Sequence, residues 1–269
     1  MINRNCVTPL RQGFNPLRFS LFALHACVAA SALRAQSAPI ADNSFLIEEA
    51  YNQEPGVVQH INTFARADGG ALWDFSFTQE WPLTGMRHQV SYTVPVGHAD
   101  GAGTGLGDIG LNYRYQLRGM DGGPLAVAPR VSALLPTGSE SRGRGSGELG
   151  LQTNLPVSYA VGSAVAAHGN AGFTLIPESA PTWSLGASAV WHARPAVNLL
   201  VEAVWSTTGG EESAFLNPGV RWAHEIGGGL QIVPGVAYTI GLGPSSGEDG
   251  LFLYLSFEHP FKRTAQPSP

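Results

Sequence analysis

At 269 residues the chain is long enough for one large β domain, and with only 13% charged residues but 34 glycines it has the turns and small side chains of a β protein rather than the charged surface of helical repeats. Residues 1–35 contain both cysteines and four of the fifteen basic residues, so the rest of the chain has eleven basic residues against twenty acidic ones. That remainder forms no disulfide, and its acidic balance argues against nucleic acid as a partner.

Residues 1–35 read as a cleavable secretory signal: Arg4, Arg11 and Arg18 precede a largely apolar run from Phe19 to Leu33, and Leu33-Arg34-Ala35 stands before Gln36. A permanent membrane helix would need about 20 apolar residues, and the run is too short. A lipoprotein-type cleavage at Leu24–Cys27 ranks lower, because His25 is bulky where a small residue is wanted. Residues 36–56 form a separate stretch before the first strand. In it Ser44 is placed to cap a short helix, with Glu48 and Glu49 near the positive end. Such a segment would either enter a barrel as a plug, with Phe45, Glu48, Glu49, Tyr51 and Gln53 as its contact residues, or serve as a periplasmic tether.

From Val57 to Phe261 the pattern has a period of two, as in strands with one apolar and one polar face. Between Gly107 and Leu117, Ile109, Leu111, Tyr113, Tyr115 and Leu117 share a face, and Asp108, Asn112, Arg114 and Gln116 share the other. Trp73, Phe75 and Phe77 alternate with Asp74, Ser76 and Thr78, and the alternation continues through Gln89–Val96. Later segments begin near Leu125, Leu149, Val165, Trp183, Val197, Leu216, Leu230 and Leu251. Counted with Val57–Phe64, they make about twelve strands of roughly the length a tilted membrane strand needs.

A soluble β-sandwich alternates in the same way. Three features favour an all-β, antiparallel transmembrane β-barrel. Trp73, Trp81, Tyr159, Trp183, Trp191, Trp205, Trp222 and Tyr238 fall near strand ends, as interfacial girdles require. The apolar face carries essentially no charge. Connections alternate between long or polar (Gly97–Thr104, Pro136–Gly147, Thr207–Ser213, Gly243–Gly250) and tight (Gly119–Gly123, Val161–Ser163, Ala193–Pro195, Gly227–Gly229), and the longer set is assigned to the cell exterior. Pro95, Pro129, Pro156, Pro218 and Pro234 fall inside strands and predict bulges or strand ends there.

Phe45 to Gln53, Gly56-Val57-Val58-Gln59-His60 and Gly105-Leu106-Gly107-Asp108-Ile109-Gly110 together resemble the outer-membrane transporter family named after the meta-pathway of phenol degradation. Leu253–Phe257 with Pro260-Phe261 looks like the aromatic-ended last strand that the barrel-assembly machinery recognises, followed here by a tail, 262–269. The resemblance implies an outer-membrane barrel for uptake of small, often aromatic or hydrophobic, solutes, with no catalytic residues and no cofactor.

Gly105–Gly110 also matches the dinucleotide fingerprint in form, but it enters a strand instead of opening a helix. His88, His168, His192 and His224 are dispersed without metal-ligand spacing. His168 and Asn170 share a face, as in a lipid hydrolase, yet no serine motif marks a nucleophile. Glu140, Arg142, Arg144 and Glu148 read as a solvated loop surface within reach of lipopolysaccharide phosphates. The residues expected to line the lumen and set selectivity are Asp74, Asp108, Asn112, Arg114, Arg130, Gln152, Asn154, Glu202 and Arg221, with Glu80 beside them. Buried charges need partners, so these should pair across the lumen or line water. The expected function is a channel, with a non-conducting structural or ligand-holding barrel as the alternative.

Overall fold

The computed structural model describes residues 40, 43–67 and 69–261. The signal stretch 1–35 and the tail 262–269 lie outside the described residues. Among the described residues one antiparallel sheet contains β1 (Val57–Ala67), β2 (Leu72–Pro82), β3 (His88–Ala99), β4 (Gly103–Leu106), β5 (Ile109–Tyr115), β6 (Leu125–Val127), β7 (Arg130–Leu135), β8 (Gly150–Val161), β9 (Val165–Leu175), β10 (Thr182–Arg194), β11 (Val197–Thr208), β12 (Glu211–Trp222), β13 (His224–Gly227), β14 (Leu230–Gly241) and β15 (Gly250–Pro260). β1 pairs with β15 and β12 with β14, so the sheet closes on itself. β4 with β5, β6 with β7, and β12 with β13 are each one stave interrupted along its length, so the barrel has twelve staves.

The interruptions fall at prolines, which have no N–H to donate to a neighbouring strand. Pro129 separates β6 from β7, and opposite it the ladder of β8 skips Pro156. Beside Pro95 the partner of β3 changes from β5 to β4. Pro218 lies in the gap between the two paired stretches of β12 and β14, and Pro234 lies where the partner of β14 changes from β13 to β12. Pro95, Pro156, Pro218 and Pro234 each keep one ladder intact and interrupt the other, whereas Pro129 marks a strand end. At Pro95 two residues of β3 stand opposite three between Leu106 and Gly110, a one-residue bulge of the kind expected there.

The alternation follows the faces of the wall. Leu111, Val131, Leu151, Leu155, Trp183, Leu185, Leu199, Val201, Leu251, Leu253 and Leu255 point outward and are exposed, whereas Arg114, Ser132, Ser158, Glu202, Asn217 and Ser256 point inward and are buried. The interior is not uniformly polar. Ile61, Val190, Leu200, Val233, Ala237, Phe252 and Tyr254 form a buried apolar cluster on the inner face of β1, β10, β11, β14 and β15.

Two connections differ from expectation. Thr207–Ser213 is not a long loop: β11 and β12 stay paired to Thr208 and Glu211 and turn through Gly209 (φ 60°) and Gly210 (φ 93°), a left-handed pair that suits a two-residue hairpin. Gly97–Thr104 is largely strand, because Ala99 pairs with Gly103 and the hairpin of β3 and β4 stands beyond β5. The connection 136–149 is long, as expected, and lies at the barrel end opposite the start of β1.

Candidate functional site

Residues 43–54 lie inside the barrel as bends, without the short helix expected from Ser44. The Ser44 hydroxyl caps nothing; it donates to Glu49 Oε1 at 3.1 Å and meets Ser188 Oγ at 3.1 Å. Inward side chains of the wall satisfy the segment's backbone in place of helical hydrogen bonds. Glu202 accepts from the N–H groups of Leu46 (2.8 Å) and Ile47 (3.0 Å), Asn170 from Glu48 (2.9 Å), Ser158 from Ala50 (2.8 Å), Gln116 from Asn52 (2.8 Å) and Gln89 from Gln53 (2.7 Å). A buried N–H without a partner costs on the order of 1–3 kcal/mol, so this set of acceptors strongly favours the observed path.

The segment's apolar side chains fit where the wall has glycine. A Cβ at Gly219 or Gly235 would fall 2.6 or 2.5 Å from the ring of Phe45, and one at Gly186 would collide with Ile47. Phe45 packs on Phe252 and Tyr254 with ring centroids 5.7 and 5.2 Å away. Inward-facing glycines in the middle of strands are the signal that could have located this seat, and it was not read from the sequence. Ser158 and Gln116 were likewise missed as acceptors.

The charged residues expected to line the lumen bond mostly to the segment. Arg130 holds Glu48 (Nη2–Oε1 2.7 Å, Nε–Oε1 2.8 Å) and also donates to Asn112 (3.2 Å) and Gln152 (3.0 Å). Arg114 donates to Tyr51 O (2.6 Å) and Asn52 Oδ1 (2.9 Å) and lies 3.5 Å from Glu80 and 3.8 Å from Glu48. Arg221 holds Glu49 Oε1 at 3.1 Å and the carbonyl of Asn43. Asn154 donates to Asn170 at 3.2 Å, and Asn217 to Glu202 at 2.8 Å. Gln53 reaches Gln59 and Glu258, while Tyr51 is exposed and contributes its carbonyl.

Asp74 and Asp108 lie at the opposite mouth. Asp108 accepts from the N–H groups of Gly138 (3.0 Å) and Ser146 (2.7 Å) and from the Ser146 hydroxyl (2.8 Å). Burial alone would raise its carboxyl, but these donors outweigh that effect and hold it below the ordinary value of 3.8. The pinned loop turns Arg144 inward, where it donates to Gly103 O at 2.8 Å, rather than leaving it on a solvated surface. Asp74 and Arg144 flank Gly97, where a Cβ would lie 2.7 and 2.8 Å from their polar atoms.

A cavity of about 710 Å³ at this mouth is lined by Asp74, Arg144 and Asp108, among others. It shares Thr63, Ser76 and Asp108 with a cavity of about 310 Å³ that reaches Phe45, Leu46, Ile47 and Glu48. A further space of about 380 Å³ borders Glu48 and Arg130 on the side of β8–β12. The lumen is therefore accessible from the loop end down to the bend at residues 45–48, below which the segment fills it.

His168 Nδ1 lies 2.7 Å from Ser158 Oγ, and its Nε2 lies 3.7 Å from Glu49. Ser158 is fully buried beneath the Ala50 N–H, so its hydroxyl is out of reach of a substrate. Gly105–Gly110 spans the end of β4 and the start of β5, with no helix following. Among the described residues no group of three or more His, Cys, Asp or Glu side chains is placed to hold a metal ion.

The outer-membrane channel COG4313 from Pseudomonas putida F1 superposes with a TM-score of 0.56 at 14% identity, over 78% of this chain and 97% of that one. The KdgM porin superposes with a TM-score of 0.52 at 8% identity, over 76% and 99%. The NanC porin gives 0.52 at 6% identity over the same shares. At these identities the likeness shows a common barrel fold. No curated protein matches the sequence. The model of the family described as "Putative MetA-pathway of phenol degradation" matches residues 41–256, from the inserted segment into the last strand, and the chain belongs to that family.

Proposed function

We propose that this protein is an outer-membrane channel for small solutes, with residues 43–54 as a built-in plug. In this reading residues 1–35 direct export and are removed. The outward face of β1–β15 meets lipid, the connection 136–149 faces the cell exterior beside lipopolysaccharide, and β15 presents the barrel to the assembly machinery. The observation that supports it most is the combination of a closed wall, apolar outside, with cavities that run from one mouth to Glu48. The names of the similar structures, a channel and two porins, point the same way. The family's description makes small aromatic compounds the first solutes to try. Ser158, the serine that His168 contacts, is closed off beneath the Ala50 N–H, which favours passage without chemistry over hydrolysis.

The second reading, a barrel that holds a ligand without conducting, is favoured by the number of hydrogen bonds that seat the segment. Planar-bilayer recording on the refolded chain separates the two. Small openings that grow several-fold when residues 36–54 are deleted fit the channel. Silence from both forms would contradict it.

A further inference from the structure

Glu48 differs from every other contact of the inserted segment. Its carboxylate binds Arg130 through both Nε and Nη2 and lies 3.8 Å from Arg114 Nη1, the fork geometry that a guanidinium offers to any carboxylate. The Glu48 side chain nonetheless keeps 26% exposure and lines both inner cavities together with Arg130. Its backbone is held independently, since Asn170 accepts from the Glu48 N–H and donates to the Glu48 carbonyl, each at 2.9 Å. The side chain can therefore swing away while the segment stays seated.

Arg130 lines the cavity at 15% exposure and Arg114, 3% exposed, lies behind the Glu48 carboxylate, so displacing that carboxylate would open Arg130 Nε and Nη2 and bare Arg114 Nη1 behind them, with Glu80 as the neighbouring carboxylate. Phe45, Ile61 and Tyr254 line the same cavity as Arg130 and give it an apolar part. We propose that Arg114 and Arg130 form a lumenal binding site for organic carboxylates, single-ring aromatic acids above all, in which Glu48 is the resident occupant that an incoming carboxylate replaces. The proposal rests on the channel reading for its role in transport, but binding can be measured without conduction.

The test is calorimetric titration of the refolded, detergent-solubilised chain with benzoate, with benzamide as the neutral isostere and acetate as the ringless acid. Glu48→Gln removes the internal competitor, so benzoate should bind at least about tenfold more tightly than to the unaltered chain. Acetate should bind more weakly than benzoate, and benzamide not measurably. Arg130→Lys keeps the charge but loses the fork and should weaken benzoate in the Glu48→Gln background. Equal benzoate affinity with and without Glu48, or benzamide binding as well as benzoate, would overturn the site. A silent bilayer with intact benzoate binding would overturn only the channel reading.

Discussion

Glu48 and Glu49 are neighbours in the chain, yet they meet different sides of the lumen. Glu48 faces β5 and β7, where Arg130 borders open space and Arg114 lies buried behind the Glu48 carboxylate. Glu49 faces β9 and β12, where Arg221, 1% exposed, and His168 enclose it. The contrast separates two jobs that one short segment performs. A buried, fully paired carboxylate fixes where the segment sits, because removing either partner leaves a charge without compensation. A carboxylate at the edge of a cavity leaves its partner within reach of an incoming anion, as Arg130 is beside Glu48.

The sharpest way to break this contrast is Arg221→Ala. It strands Glu49 in the wall and should cost the seated segment about 3–5 kcal/mol, raising maleimide labelling of an Ala50→Cys probe by about two orders of magnitude or more. Gly235→Ala comes next. The added methyl displaces Phe45 and should cost about 1–3 kcal/mol, with a smaller rise in the same labelling. Glu48→Gln should change the labelling least of the three, because the amide oxygen can still accept from Arg130, Arg130 keeps Asn112 and Gln152, Arg114 keeps Glu80, and Asn170 still holds the backbone of residue 48. Comparable labelling in Glu48→Gln and Arg221→Ala would erase the distinction between anchor and exchangeable group.

The smallest expected effect concerns pH at the mouth. The Asp108 carboxyl is held below its ordinary value, so the stabilisation it provides is complete above that value and is lost as pH falls through the lower, folded one. A spin label at Ser141→Cys in the pinned loop should keep the same mobility from pH 7 to pH 5 and loosen only below about 3.8. Loosening near pH 5 would contradict the hydrogen-bond account of Asp108.

The wall was legible in the sequence and the seat was not, for a physical reason. Alternation is local, so Leu111, Tyr113 and Asn112 announce their faces within one strand. Glu202 sits in an apolar run, Leu199–Trp205, whose parity places it inside, but its partners, the N–H groups of Leu46 and Ile47, are 156 and 155 residues away. The helix expected after Ser44 lost to those distant acceptors, which satisfy the same backbone donors. Apolar inward positions such as Leu200, Val233 and Phe252 were absorbed into strand patterns, although they mark where Phe45 and Ile40 dock. Arg144 looked like loop surface because the hydrogen bonds that turn that loop inward, from Gly138 and Ser146 to Asp108 and between Thr137 and the strand at Gly107 and Ile109, join residues about 30 or more positions apart.

If residues 43–54 limit passage from their seat in the lumen, fastening them there should hold conductance down. Ser44 and Ser188 face each other with Oγ atoms 3.1 Å apart, and no native cysteine follows Cys27. A chain beginning at Gln36 with Ser44→Cys and Ser188→Cys can therefore be locked by a single disulfide and released by a reductant during one bilayer recording. The oxidised chain should show low, steady conductance, with a reversible rise in conductance and its fluctuations on reduction. Identical conductance in the two states, with the disulfide verified, would contradict a plugging role for the segment.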